Sequence, residues 1–124
     1  MEVVIDTSAL MEMVKFNIRI EQFYTIINEE IVFILPSGVK KELEGLSKNK
    51  GRRGVYARIG LMLFDKLKNV KIVDSNNKQI DSFILEYCKN HRCVVFTNDM
   101  KLKRELEKEN VNVYYVKMNE IKNA

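Results

Sequence analysis

The chain has 124 residues, 46% hydrophobic and 31% charged, with five Gly and one Pro. This excludes collagen-like and disordered classes and suits one core on the usual scale of about 100–200 residues per domain. No apolar run approaches the roughly 18 residues of a membrane span, so a single domain over residues 1–124 with no membrane contact is expected. The first residues, Met1-Glu2-Val3-Val4-Ile5-Asp6, carry an acid where a signal peptide carries Lys or Arg, and no long apolar stretch follows. The expected location is therefore cytoplasmic. Cys88 and Cys93 are too few for a disulfide scaffold and lack the paired spacings of a zinc site, and they read as reduced core thiols.

In chain order, Val3-Val4-Ile5 is a β-branched run stopped by Asp6-Thr7-Ser8, residues that favour turns and helix N-caps. Ile31-Val32-Phe33-Ile34-Leu35 ends at Pro36-Ser37-Gly38, and Lys71-Ile72-Val73 ends at Asp74-Ser75. Cys93-Val94-Val95-Phe96 precedes Thr97-Asn98-Asp99, and Val111 to Val116 forms the fifth run. Apolar runs without alternation suit strands covered on both faces of a parallel sheet. Between them the period is helical: two short helices from Ser8 to Asn28 with a break at Phe16-Asn17-Ile18, and one from about Val39 to Leu46. Another carries an apolar stripe Val55, Ile59, Met62, Leu63 and Leu67, and a last one carries Ile80, Phe83, Ile84, Tyr87 and Cys88. Alternating strands and helices predict an α/β fold with a parallel sheet.

The formal net charge is +4, and it is concentrated in one segment. Lys40, Lys41, Lys48, Lys50, Arg52, Arg53 and Arg58 stand there against Glu42 and Glu44. A basic loop rich in Gly and Asn reads either as a solvated loop or as a surface for a polyanion such as nucleic acid.

In an open parallel sheet, ligands bind beyond the carboxyl ends of the strands. Asp6 directly follows the first strand and Asp99 follows the fourth; either alone could be a cap or turn residue. Glu42 has Val39 and Leu46 at helical spacing, which places it along the apolar side of its helix, whereas Glu44 is surrounded by Lys40, Lys41, Ser47 and Lys48. Asp81 has Ile84, Leu85 and Cys88 on its side of a helix start, where a carboxylate also complements the helix dipole. Four partly buried acids without matching cations suit a divalent ion, and hard oxygen donors without a His or thiolate cluster point to Mg²⁺ or Mn²⁺. Such ions serve phosphoryl chemistry. Acids and basic loop together suggest metal-assisted cleavage of a nucleic-acid backbone.

These residues resemble the PIN-domain ribonucleases. The matching pieces are Val3-Val4-Ile5-Asp6-Thr7-Ser8, Leu35-Pro36 before Val39-Lys40-Lys41-Glu42-Leu43, Asp81 opening a helix, and Val95-Phe96-Thr97-Asn98-Asp99 before Leu102-Lys103. The resemblance implies a three-layer α/β/α sandwich on a five-stranded parallel sheet of order 3-2-1-4-5. It implies that Asp6, Glu42, Asp81 and Asp99 hold one or two Mg²⁺ or Mn²⁺ ions, with Thr97 and Ser8 orienting carboxylates. A metal-activated water would cut RNA to leave 5′-phosphate and 3′-hydroxyl ends, and Lys48, Lys50, Arg52, Arg53 and Arg58 would contact the RNA. Within the family, the Glu42-Leu43 and Thr97-Asn98-Asp99 segments are most similar to the rRNA-processing branch. The toxin branch of toxin–antitoxin pairs shares the same acids, and a catalytically silent RNA- or protein-binding module is a further alternative. Implied partners are RNA, an antitoxin or a ribosome-assembly protein, and a second copy packed on Leu10, Met11, Met13 and Val14.

A phosphoacceptor receiver domain is a rival of similar length, with Asp74, Thr97 and Lys117 at strand ends, but it needs an acidic pair where this chain has only Asp6. A haloacid-dehalogenase-type phosphatase needs a second Asp where Ser8 stands. His91 reads as a helix-end or surface residue, and Tyr56, Tyr114 and Tyr115 as sheet packing or base-stacking rings.

Overall fold

Val3, Val4 and Ile5 have no solvent exposure, and β-branched residues at that density favour an extended chain covered on both faces. In the computed structural model, which describes residues 1–124, they form the central strand β1 (Glu2–Ile5). There follow α1 (Thr7–Lys15), a 3-10 turn (Ile20–Gln22), α2 (Phe23–Ile26), β2 (Val32–Pro36), α3 (Ser37–Leu46), α4 (Arg52–Lys66) and β3 (Val70–Val73). The chain ends with α5 (Ile80–Asn90), β4 (Cys93–Phe96), α6 (Met100–Lys108), β5 (Val113–Lys117) and β6 (Glu120–Asn123). No helix is long and apolar enough to cross a membrane.

The sheet order is β3-β2-β1-β4-β5-β6. The first five strands are parallel in the expected order, and a sixth, antiparallel strand extends the sheet beyond the five expected. Only Ile121 is buried in β6, and the β5–β6 turn places Met118 at φ 56 without glycine. Neither a hydrophobic pattern nor a turn signature marks that hairpin. The strand order also excludes the receiver-type arrangement, which is 2-1-3-4-5.

Successive residues of each strand point to opposite faces, and this divides the core. Val3, Ile5, Phe33, Leu35, Val94 and Phe96 join the larger cluster with Leu10, Met13, Phe23, Val39, Leu43 and Phe64. Val4, Ile34, Val95 and Val113 pack on the other side against Phe83, Ile84, Tyr87, Leu102 and Leu106. The three-layer sandwich follows. Phe23 is central to the larger cluster, edge-on to Phe33, Phe96 and Tyr114 at ring separations of 6.0, 5.0 and 5.7 Å. Leu10 and Met13 are wholly internal, so of the four residues expected to meet a second copy only Met11 and Val14 remain near the surface.

The helical period of α4 is as expected, but only Leu63 and Leu67 of the expected stripe pack against the larger cluster, half-buried. Val55, Ile59 and Met62 are 42%, 46% and 55% exposed, whereas Gly54, Ala57, Gly60 and Phe64 face inward. Small residues let α4 approach its neighbours: a Cβ on Gly60 would stand 3.1 Å from the Leu10 side chain. Close approach, not side-chain size, selects the buried face. At Gly54 a Cβ would lie 1.9 Å from the Asn49 carbonyl oxygen. Gly54→Ala is therefore expected to destabilise by about 1–3 kcal/mol through overpacking, despite alanine's higher helix propensity. Urea unfolding checks this, and a stabilised variant would contradict the packing account.

Candidate active site

Because the strands run parallel, the segments after β1, β2, β3 and β4 gather at one end of the sheet, with the N-termini of α1, α3, α5 and α6. The register sets Ile5 beside Phe96, so the next residues, Asp6 and Thr97, are neighbours. Asp6 N–H donates to the Phe96 carbonyl at 3.0 Å. Asp6 is buried at the N-cap position of α1 yet does not cap it with its side chain. Its Oδ2 instead accepts from Thr97 Oγ1 at 2.6 Å and Ser8 Oγ at 2.7 Å. Thr97 is fully buried, and its Oγ1 also accepts from Asp99 N–H at 3.0 Å. Ser8 Oγ accepts from Asn98 N–H at 3.0 Å. Two hydroxyls thus lock one carboxylate and the loop carrying the next.

Asp99 does both things that its position allows. Its Oδ1 caps α6, accepting from Lys101 and Leu102 N–H at 2.9 and 3.2 Å, and the residue lines a pocket with Asp6, Glu42 and Asp81. Asp81, in the first turn of α5, has its pKa raised above the ordinary carboxylate value by partial burial first, then by the charges of Asp99, Asp6 and Glu105, with Lys101 opposing. The four acids therefore share one pocket, three of them coupled electrically. Glu42 differs from expectation: it is exposed, because α3 turns Val39 and Leu43 inward at i, i+4 and leaves Glu42 at the rim.

A group whose folded pKa is raised binds more protons in the native than in the unfolded state, so stability falls as pH rises through that window. Asp81→Asn is thus expected to raise the metal-free melting temperature at pH 7. The gain should vanish below about pH 4, where wild-type Asp81 is itself protonated. Melts in chelator across pH test this, and a pH-independent effect would contradict it.

The pocket offers oxygen donors and no His or Cys, the donor chemistry of Mg²⁺ or Mn²⁺. Asp6 and Asp99 each use only one carboxylate oxygen within the protein, leaving the other for an ion. No three of these carboxylates close on one point as they stand. The residues present fit such an ion.

Its far wall rests on contacts between residues distant in sequence. Ser37 Oγ and Ser75 Oγ lie 2.9 Å apart, Gly38 N–H donates to Ser75 Oγ at 2.9 Å and Ser75 N–H to Ser37 Oγ at 2.9 Å. This fixes the β3–α5 loop, and so Asp81, against the start of α3. A second depression adjoins the first, lined by Lys15, Arg52, Arg53, Tyr56 and Asn98 among others.

Compared with known proteins, residues 3–119 match the family described as PIN like domain. The chain belongs to this PIN-like domain family. It is 31% identical over 118 residues to Ribonuclease VapC4 of Methanocaldococcus jannaschii, covering 94% of this chain and 90% of that protein. It is likewise 31% identical over 86 residues to Ribonuclease VapC9 of Archaeoglobus fulgidus, covering 68% of this chain and 61% of that one. Among solved structures, the PIN domain endonuclease Utp24 superposes with a TM-score of 0.81 at 23% identity, covering 98% of this chain and 90% of that chain. A domain of a functionally unknown M. jannaschii protein gives 0.66 at 18%, covering 96% and 93%.

On this PIN-like frame the expected basic residues separate. Arg52 and Arg53 line the second depression. Arg58 instead donates to the carbonyls of Ser47 and Asn49, bracing the α3–α4 connection. Lys48 and Lys50 are exposed on that connection, outside both depressions. His91 lies at the end of α5, stacked on Tyr87 at 3.9 Å with Nδ1 3.5 Å from Glu2, and does not line the acidic pocket. Tyr114 is core, and Tyr115 lies under Lys103. Sequence reasoning missed Ser37, Ser75 and Asn98, whose amide donates to the Val116 carbonyl and accepts from Val116 N–H, both at 2.9 Å. The only signal was that polar residues follow each strand.

Proposed function

We propose that this protein is a Mg²⁺- or Mn²⁺-dependent endoribonuclease in which Asp6, Glu42, Asp81 and Asp99 hold one or two ions. The observation that carries this reading is the convergence of Asp6, Asp81 and Asp99 at one sheet end, close enough that the charges of Asp99 and Asp6 add to burial in raising the Asp81 pKa. Its support from relatives is the 31% identity to Ribonuclease VapC4 across 94% of the chain. When bound, such an ion supplies an acidified water and neutralises charge developing on the phosphate. The protein's own contribution is position. Thr97 and Ser8 hold the Asp6 carboxylate in one orientation, Asp99 is fixed by its cap on α6, and Asp81 by the Ser37–Ser75 contact. Glu42 at the rim stands where the pocket meets the Arg52–Arg53 depression. No side chain is required as nucleophile, so product ends test the chemistry. Hydrolysis leaves 5′-phosphate and 3′-hydroxyl ends, whereas a 2′,3′-cyclic phosphate would mean attack by the RNA's own 2′-hydroxyl and would contradict the reading.

Arg52 and Arg53 are the phosphate contacts in this proposal, with Lys48 and Lys50 as outlying charges. Arg52→Ala with Arg53→Ala is expected to weaken RNA binding and flatten its log–log salt dependence by roughly one unit per lost contact. An unchanged slope removes these residues from the interface. RNA processing, as in the rRNA-processing branch, and a toxin-type role share this chemistry and differ in substrate, so the cut RNA decides between them. The protein acts where RNA is, in the cytoplasm. An antitoxin, a ribosome-assembly partner or a second copy would meet the exposed apolar residues Val55, Ile59 and Met62 of α4. RNA binding that survives without cleavage under any metal would make it a silent binding module.

A further inference from the structure

The depression beside the acidic pocket has a volume of about 720 Å³ and lies between Met11, Glu12 and Lys15 of α1 and Arg52, Arg53 and Tyr56 of α4. Thr7, Ser8 and Glu42 border both hollows, which are therefore continuous. At this saddle Ser8 Oγ is committed, donating to Asp6 and accepting from Asn98 N–H, while the buried Thr7 hydroxyl has no partner in the protein. Arg52 and Arg53 enter no ion pair and no cation–π contact, whereas the Lys15 ammonium lies over the Phe16 ring, 5.3 Å from its centroid. Tyr56 is half-buried and stacks on no other ring. A half-exposed Met–Tyr pair beside two free guanidinium groups is not needed to bind phosphate alone.

We propose that this depression is a nucleotide subsite that takes one unpaired base of the RNA next to the phosphate in the acidic pocket. The proposal rests on the ribonuclease reading and specifies its substrate at one position. The neighbouring phosphate lies on Arg52, Arg53 and Lys15, and the base, out of its stack, lies on the Tyr56 ring with Met11 on the facing wall. Base stacking on an aromatic ring tolerates any base because each has a π-face. The subsite therefore selects for pairing state and not for sequence: a base held in a duplex stack does not reach Tyr56.

The test is fluorescence anisotropy with a labelled eight-nucleotide single-stranded RNA in EDTA, using the full chain. Tyr56→Leu is expected to weaken binding about tenfold while Tyr56→Phe, which keeps the ring, binds within about twofold of wild type. With wild-type protein, so that folding of a variant is not at issue, an RNA that is abasic at every position should bind about tenfold more weakly than the intact strand. That penalty should disappear in Tyr56→Leu. A fully paired hairpin should bind wild type no better than single-stranded RNA binds Tyr56→Leu. Equal affinity of Tyr56→Leu and wild type, or no penalty for the abasic RNA, overturns the subsite and leaves the nuclease reading standing. Wild-type protein that neither binds nor, with Mn²⁺, cuts this RNA overturns both.

Discussion

Replacing Asp6 by asparagine is expected to abolish RNA cleavage, a fall on the order of 10³-fold or more, while leaving the fold intact. Asparagine has the size of aspartate and keeps an oxygen for the Thr97 and Ser8 hydroxyls, so the hydrogen-bonded framework survives. What disappears is a charge that an ion needs and that the metal-free protein is better without, because it contributes to holding the Asp81 proton. The loss of catalysis follows the usual scale for removing one electrostatic element from an active site. In chelator, Asp6→Asn should melt at the wild-type temperature or above. A clearly lower melting temperature would instead make Asp6 a structural residue whose charge stabilises the two hydroxyls around it.

Thr97→Val should cost both stability and activity, and the two losses have one origin. Thr97 Oγ1 is fully buried, donates to Asp6 and accepts from Asp99 N–H, so valine leaves a buried carboxylate and a backbone amide each one partner short. That costs about 1–3 kcal/mol in urea unfolding. Residues that orient metal-holding groups typically matter 10- to 100-fold, so cleavage should fall by about that factor. Thr97→Ser, which keeps the hydroxyl, should recover most of both. Ser8→Ala is expected to have a smaller effect on stability, since Ser8 is half-buried and Asp6 retains Thr97. If Thr97→Val lost stability without activity, Thr97 would be a packing residue and not a link between Asp6 and Asp99.

How far this arrangement can be read from sequence depends on whether local pattern or long-range contact fixes each part. The runs Val3-Val4-Ile5 and Cys93-Val94-Val95-Phe96 are dense enough in β-branched and apolar residues to reveal β1 and β4. Once those are parallel neighbours, Asp6 and Asp99 must meet at one end of the sheet. Asp81 is legible as an acid in a first helical turn. The spacing to Val39 and Leu46 puts Glu42 on the apolar side of α3, but Leu43 takes the inward place and Glu42 stays at the rim. The inward face of α4 was hidden for a related reason: Gly54, Ala57 and Gly60 are buried because helices approach closely there, which hydrophobic periodicity cannot register. Strand β6 has one buried residue and a turn without glycine. Ser37 and Ser75, 38 positions apart, shape the pocket through a contact that no local spacing encodes. The basic segment was legible as charge but not as geometry, which gives Arg52 and Arg53 a groove and Arg58 a loop to brace.

The central claim, that these acids form a metal-dependent RNA-cutting site, is tested most directly by one cleavage assay. A mixed pool of single-stranded and hairpin RNA is incubated with wild-type protein in Mn²⁺, Mg²⁺ or EDTA, beside Asp6→Asn protein purified in parallel. The predicted result is cutting by wild type with either ion, none in EDTA, and none by the variant under any condition. Cutting that persists in EDTA, or that is equal in the Asp6→Asn preparation, would contradict the account.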